Sequence, residues 1–191
     1  RKAFLAKDSL LLVDDFHPTS SPQDAASMMA AAQYLCRLYG DRIGRGRMNS
    51  DTTLRKEYPP QGLAVATGED LLTGESSVAR ILMEELLVDD IDLALLSELQ
   101  NQAGLLAQAM AGYIEYVRDR MDSITATIQE LFPKMRQEFL GKHVHGRVSE
   151  SAAWLCIGLK YALQYALKVK AIDKVTAQRI YSQGRKVFAE L

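Results

Sequence analysis

Cysteine is scarce in this sequence, and the two that occur, Cys36 and Cys156, stand far apart without the spacing of a metal-ligand pair. Two buried free thiols in a reducing compartment are expected, rather than a disulfide framework. An excess of charge is missing as well: 23 Lys and Arg against 24 Asp and Glu leave a formal net charge of −1. The chain as a whole is no polycation, so affinity for nucleic acid has to come from a local patch. Long apolar runs are also lacking. The most apolar long stretch, 152–169, is interrupted by Lys160, Gln164 and Lys168 and falls short of the ~20 apolar residues that cross a bilayer. Residues 1–8 are not followed by the apolar segment and small-residue cleavage site of a secretory leader. These absences predict a cytoplasmic protein with no membrane contact. The sequence opens on Arg1 rather than Met, as expected of a piece lying inside a longer parent.

What is present is ordinary for a chain that buries a core: 48% hydrophobic and 25% charged residues in 191 positions, enough for one large domain or two small ones. Leu10-Leu11-Leu12-Val13 is an apolar run without alternation, predicting a strand covered on both faces, and it ends in Asp14-Asp15. After Pro18 and Pro22, apolar positions at spacings of three and four predict a helix over 24–38, with Gly40 as its stop. Residues 41–58 hold Arg42, Arg45, Arg47, Arg55 and Lys56 around Asn49-Ser50-Asp51, a pattern read as a β-hairpin with its turn at 49–51. Leu63-Ala64-Val65-Ala66-Thr67 predicts a second short strand. Arg80-Ile81-Leu82-Met83 opens a third candidate strand, although periodicity also accommodates a helix there.

From Asp92 onward the pattern is helical. Leu93, Leu96, Leu99, Ala103, Leu106, Ala107, Met110 and Tyr113 form one apolar stripe continuing towards Val117. Further helices are expected over 123–140, kinked or divided by Pro133, over about 150–169, and after Asp173 as a cap, ending near Leu191. The chain thus divides into an α/β part, 1–90, and an α-helical domain, 91–191.

An apolar strand that delivers two adjacent carboxylates at its end has the geometry a nucleoside triphosphatase places beside its phosphates. One carboxylate can hold Mg²⁺ through the ion's water shell, and the other can orient or deprotonate the attacking water. A strand ending in a solvated acidic turn would look the same. The order of the later segments adds to the pattern: a second buried strand ends in the polar Thr67, and Arg80 comes thirteen positions later. The stretches LLLVDDFHPT, GRGRMNSDTTLRKEYPPQGLAVATGEDL, SSVARILMEEL and LAQAMAGYIEYV resemble the ATPase portion of helicase-like P-loop proteins of phages and other mobile elements, often joined to a primase. The resemblance covers residues 7–117. It implies a parallel P-loop sheet of the additional-strand class, Asp14 as the metal-side acid and Asp15 as the catalytic one. Thr67 corresponds to the polar sensor and Arg80 to a phosphate-facing arginine. It also implies Mg²⁺ and ATP in the intact parent, bound between subunits of a homo-oligomer, with DNA, expected to be single-stranded, as the substrate. The departure is a missing G-x-x-x-x-G-K-[ST] loop, whose amides and lysine cradle phosphates in that family. Without it, and without the strand that carries it, this piece is not expected to hydrolyse ATP or hold either cofactor tightly. Edge exposure leading to dimerisation or lowered stability is expected instead.

The basic arm at 42–56 can neutralise several phosphates and release their counterions. Arg45, Arg47, Arg55 and Lys56 are the residues for such a role, a solvated loop or an intersubunit salt-bridge element being the bland alternatives. One of these arginines, rather than Arg80, can serve as the phosphate-facing finger. His143 and His145 at an i, i+2 spacing lack further ligands and read as an exposed loop. Trp154, Tyr161 and Tyr165 would suit base stacking, but their helical spacing in an apolar segment reads as core. Ser149 and Ser151 have no arguable His and acid partners. The expected function is therefore a carboxy-terminal fragment of an ATP-dependent DNA helicase or translocase of a mobile genetic element. The alternative is a non-catalytic nucleic-acid-binding or oligomerisation module.

Overall fold

A computed structural model describes residues 2–16, 21–42, 48–54, 57–69, 73–140 and 146–190. The chain forms two compact units, Arg1–Met83 and Glu84–Leu191. The described residues are mostly helical, with one small parallel sheet.

In the first unit, α1 (Lys2–Leu5) precedes β1 (Leu11–Phe16), α2 (Pro22–Asp41), β2 (Ala64–Gly68) and α3 (Glu75–Val78). Parallel neighbours need a crossover, and α2 lies within the one that joins β1 to β2, a βαβ arrangement. The helix starts where its sequence provides caps: Ser21 Oγ accepts the Asp24 amide, Pro22 fills the first turn, and Asp24 places a carboxylate on the positive end. It runs through Gly40 and stops at Arg42, whose backbone is left-handed at φ 51°. Ala32 and Cys36, one turn apart, are its buried residues. Side chains tie α2 to both flanking segments: Gln33 Nε2 donates to Thr73 O at 3.1 Å and Arg42 Nη1 to Gln61 O at 3.3 Å.

The structure corrects two expectations about strands. The first strand is not covered on both faces, since Leu12 remains 60% exposed and its partner Val65 45%. Residues 80–83 form no strand. The amides of Arg80 and Ile81 bond back to the carbonyls of Ser77 and Val78, each at 3.1 Å, continuing the turns of α3. The sheet is thus β1 and β2 alone among the described residues.

The second unit holds α4 (Leu93–Asn101), α5 (Ala103–Arg118), α6 (Met121–Phe139), α7 (Gly146–Lys168) and α8 (Lys174–Ala189). The expected single stripe over 93–117 is interrupted at Gln102 (φ −102°, ψ 18°). Its amide still bonds Glu98 O at 3.1 Å and its carbonyl accepts from Leu105, so the rod bends rather than loops. Pro133 sits inside α6 without dividing it. Asp173 caps α8, its carboxylate accepting the Thr176 amide at 2.7 Å. The core lies among α6, α7 and the end of α5: Ile124, Met135, Ala153, Cys156, Ile157 and Tyr161 are buried, with Tyr113, Val117 and Phe132 packed against them. Burying each large member contributes about 1.5–3 kcal/mol. Buried Ser149 is satisfied by donating to Phe139 O at 3.1 Å, and Arg185 of α8 pairs with Glu138 of α6. Both cysteines are buried free thiols. No described helix is long and apolar enough to cross a membrane.

Candidate functional site

The ladder between β1 and β2 runs in register from Leu11↔Ala64 through Val13↔Ala66 and then slips, pairing Phe16 with Gly68. Two residues of β1, Asp14 and Asp15, therefore face one of β2, Thr67. Such a bulge re-aims side chains that strict alternation would send to opposite faces. The extra residue is accommodated by Asp15, whose φ of 67° is left-handed, a region that Asp enters more readily than most residues. Thr67 closes the arrangement with both functions of its hydroxyl. Its oxygen accepts the Asp15 amide at 3.1 Å, and its proton is donated to Asp14 Oδ1 in a very short hydrogen bond. Gly68 follows at a point of close approach, where a Cβ would stand 2.8 Å from Phe16 O. All three side chains are solvent-accessible.

The structure thus brings Asp14, Asp15 and Thr67 together at adjacent strand ends. The bulge itself was not legible in the sequence; its one available signal is that two adjacent acids close an apolar run, and Asp tolerates a left-handed backbone. Arg80 is placed elsewhere in the same unit. Its Nε bonds Asp41 Oδ1 at 2.9 Å in a partly buried ion pair at the end of α2, and its aliphatic stem lies against Gly40.

The basic arm is described only around its tip. Met48 and Leu54 form an antiparallel bridge, and within it Asn49 N bonds Thr53 O at 2.8 Å. Asp51 accepts the Thr53 hydroxyl at 2.6 Å and the Thr53 amide at 3.0 Å, which holds its carboxyl below the usual carboxylate range. The expected turn is there. Arg45, Arg47, Arg55 and Lys56 lie outside the described residues, as do His143 and His145.

Of the three aromatic residues weighed for stacking, Tyr161 is buried and Tyr165 packs between Tyr113 and Tyr116 with centroids 5.7 Å from each. Trp154 departs from the expected core role, being 46% exposed while stacked on Phe132 at 4.6 Å. Two open clefts of about 230 and 200 Å³ lie in the helical unit, the first apolar around Ile128 and Trp154, the second polar around Arg120 and Lys160. Neither is at the strand ends.

No group of three or more His, Cys, Asp or Glu side chains able to hold a metal occurs among the described residues. The acid pair with Thr67 is a two-carboxylate, one-hydroxyl set. Hard oxygen donors of this kind suit Mg²⁺, which keeps much of its water and takes one or two carboxylates plus phosphate oxygens. Comparisons with protein-family models, curated proteins and solved structures found no match.

Proposed function

We propose that the chain is the carboxy-terminal part of an ATP-driven DNA helicase or translocase of a mobile genetic element, its first unit supplying the metal-side half of a nucleotide site. The observation that supports this is the bulge that gathers Asp14, Asp15 and Thr67 at neighbouring strand ends, open to solvent. In this reading Asp14 holds Mg²⁺ through its water shell. When bound, the ion offsets the negative charge of the phosphates. Asp15 orients the attacking water and takes its proton, and Thr67 fixes both acids by one hydroxyl. Arg80, or one arginine of the basic arm, counters phosphate charge. Arg45, Arg47, Arg55 and Lys56 track single-stranded DNA in a cytoplasmic homo-oligomer. The phosphate cradle comes from another part of the parent, so this chain alone hydrolyses no ATP.

The test uses the parent chain. Asp15→Asn is expected to lower its Mg²⁺-dependent ATPase rate by ~10²-fold or more, as loss of a general base does. Thr67→Ser should retain most of that rate and Thr67→Val should not. Unchanged hydrolysis in both Asp14→Asn and Asp15→Asn would overturn the site. For the DNA part, affinity for single strands should fall steeply with salt, and Arg45→Ala with Arg47→Ala should lower the logarithmic slope by roughly two. Binding insensitive to salt would overturn that part.

A second reading, a non-catalytic assembly module, is favoured by a different observation: neither α4 nor α5 contains a buried residue.

A further inference from the structure

A helix that is apolar yet unpacked needs a partner. Between Leu93 and Ile114 the sequence holds one charged side chain, Glu98. A surface helix of a monomer ordinarily carries a charged outer face opposite its apolar stripe; this one does not. Within the rod, Leu96, Leu99, Ala103, Leu106, Met110, Tyr113 and Val117 recur at alternating steps of three and four, the seam of a coiled coil. The carboxy-terminal end of that seam is already used, because Tyr113 and Val117 pack against the core of the helical unit. The remainder is not: Leu96, Leu99, Leu106 and Met110 are between 40% and 57% exposed.

The size of the uncovered surface indicates what it needs. Eight large apolar residues of the rod, from Leu93 to Ile114, are at least 40% exposed. At roughly 100 Å² per fully exposed side chain, scaled by these exposures, they present about 400 Å². That is as large as the ~300–600 Å² largest patch of a typical monomer and about half of the ~800 Å² each partner contributes to a standard interface.

Charge selects the occupant. A rod with the single charge of Glu98 has little with which to choose an acidic or a basic partner, and it lacks the Lys and Arg face of a helix that lies on lipid. So little charge does permit it to face itself. The flank just before it is strongly acidic, with Glu84, Glu85, Asp89, Asp90 and Asp92. A parallel pair would set these five carboxylates against the same five, while an antiparallel pair separates the two flanks by about the length of the rod, ~39 Å, several Debye lengths. We infer that the α4–α5 rod is a dimerisation helix whose occupant is the same rod of a second copy, packed antiparallel about Ala103. The small side chain at the centre of the exposed seam lets the two backbones approach closely. None of Asp14, Asp15 and Thr67 enters this inference, so it stands apart from the nucleotide-site proposal.

The test is the mass of the full chain by sedimentation velocity over a micromolar concentration series. A dimer is expected, and Leu99→Lys with Leu106→Lys should weaken it by ~100-fold or more without loss of helical circular dichroism, because both positions are exposed. Ala103→Cys should oxidise to a cross-linked dimer and Leu93→Cys should not, the native thiols being buried. A wild-type chain that stays monomeric at ~100 μM, an assembly indifferent to the two lysines, or cross-linking through Leu93→Cys in preference to Ala103→Cys would each overturn the inference. None of these readouts involves ATP or DNA, so a failed dimer and a failed nucleotide site are separable.

Discussion

Arg80 lies directly on Gly40: a Cβ at position 40 would stand 2.7 Å from Arg80 Cβ and 2.8 Å from its Cγ. The same side chain ends in the ion pair with Asp41, the next residue of α2. Gly40 is therefore not a helix stop but the notch into which the stem of Arg80 fits, and the helix continues past it to Asp41.

Gly40→Ala separates these two roles. If Gly40 were only a helix residue, Ala would stabilise it by up to about 1 kcal/mol. The contact with a Cβ, which is fixed to its own backbone, predicts the opposite sign, a loss of about 1–2 kcal/mol as both segments shift. Urea unfolding of the full chain distinguishes the two, and a stabilised variant would show that the segment around Arg80 yields freely.

Removing the partner tests the ion pair. The side chains of Arg80 and Asp41 are 15% and 23% exposed, between the surface and buried regimes. Asp41→Asn is accordingly expected to cost about 1–2 kcal/mol. A neutral outcome in the same unfolding experiment would assign the pair no structural weight.

In the helical unit, two glycines of α5 and α7 make opposite predictions. A Cβ at Gly112 would stand 2.2 Å from the Tyr165 hydroxyl, whereas a Cβ at Gly158 would meet nothing within 4 Å. Gly158→Ala should raise stability by about 0.5–1 kcal/mol through helix propensity alone. Gly112→Ala should gain less or lose, because Tyr165 has to leave its place between Tyr113 and Tyr116.

Acid sensitivity is expected at the start of α8. The amide and hydroxyl of Thr176 hold the Asp173 carboxyl below its ordinary value. A depressed folded-state pKa contributes stability that is complete above the unfolded-state value, near 4, and is lost as pH falls through the folded one. Asp173→Asn should therefore flatten the decline of melting temperature below about pH 4, with Asn still able to cap. An unchanged decline would place the acid response elsewhere.

Burial raises the thiols of both Cys36 and Cys156 above the usual cysteine range. Neither is expected to react with an aromatic disulfide reagent at pH 8 until its own unit opens. Because one thiol lies in each unit, Cys36→Ala and Cys156→Ala variants would report the opening of the two units separately along a denaturant series.

Local chemistry decides much of what the sequence makes legible. Asp173 before Lys174 caps a helix wherever it stands, and the apolar steps of three and four over 93–117 and 150–169 mark helical faces whatever they pack against. The turn at Asn49 to Asp51 is of this kind too, closed by side chains within five residues. The acid pair was visible as residue types at the end of an apolar run. Three features were settled only by the structure. The bulge exists because Thr67, more than fifty residues from Asp14 and Asp15, offers one hydroxyl to both. Residues 80–83 form no strand, the amides of Arg80 and Ile81 having turned back onto the carbonyls of Ser77 and Val78. Arg80 went to Asp41 and Gly40 because the fold put a notch beside its stem. Periodicity specifies what a segment can bury, but only the tertiary structure decides whether anything arrives to cover it. That is why the rod of α4 and α5, apolar in pattern, holds no buried residue.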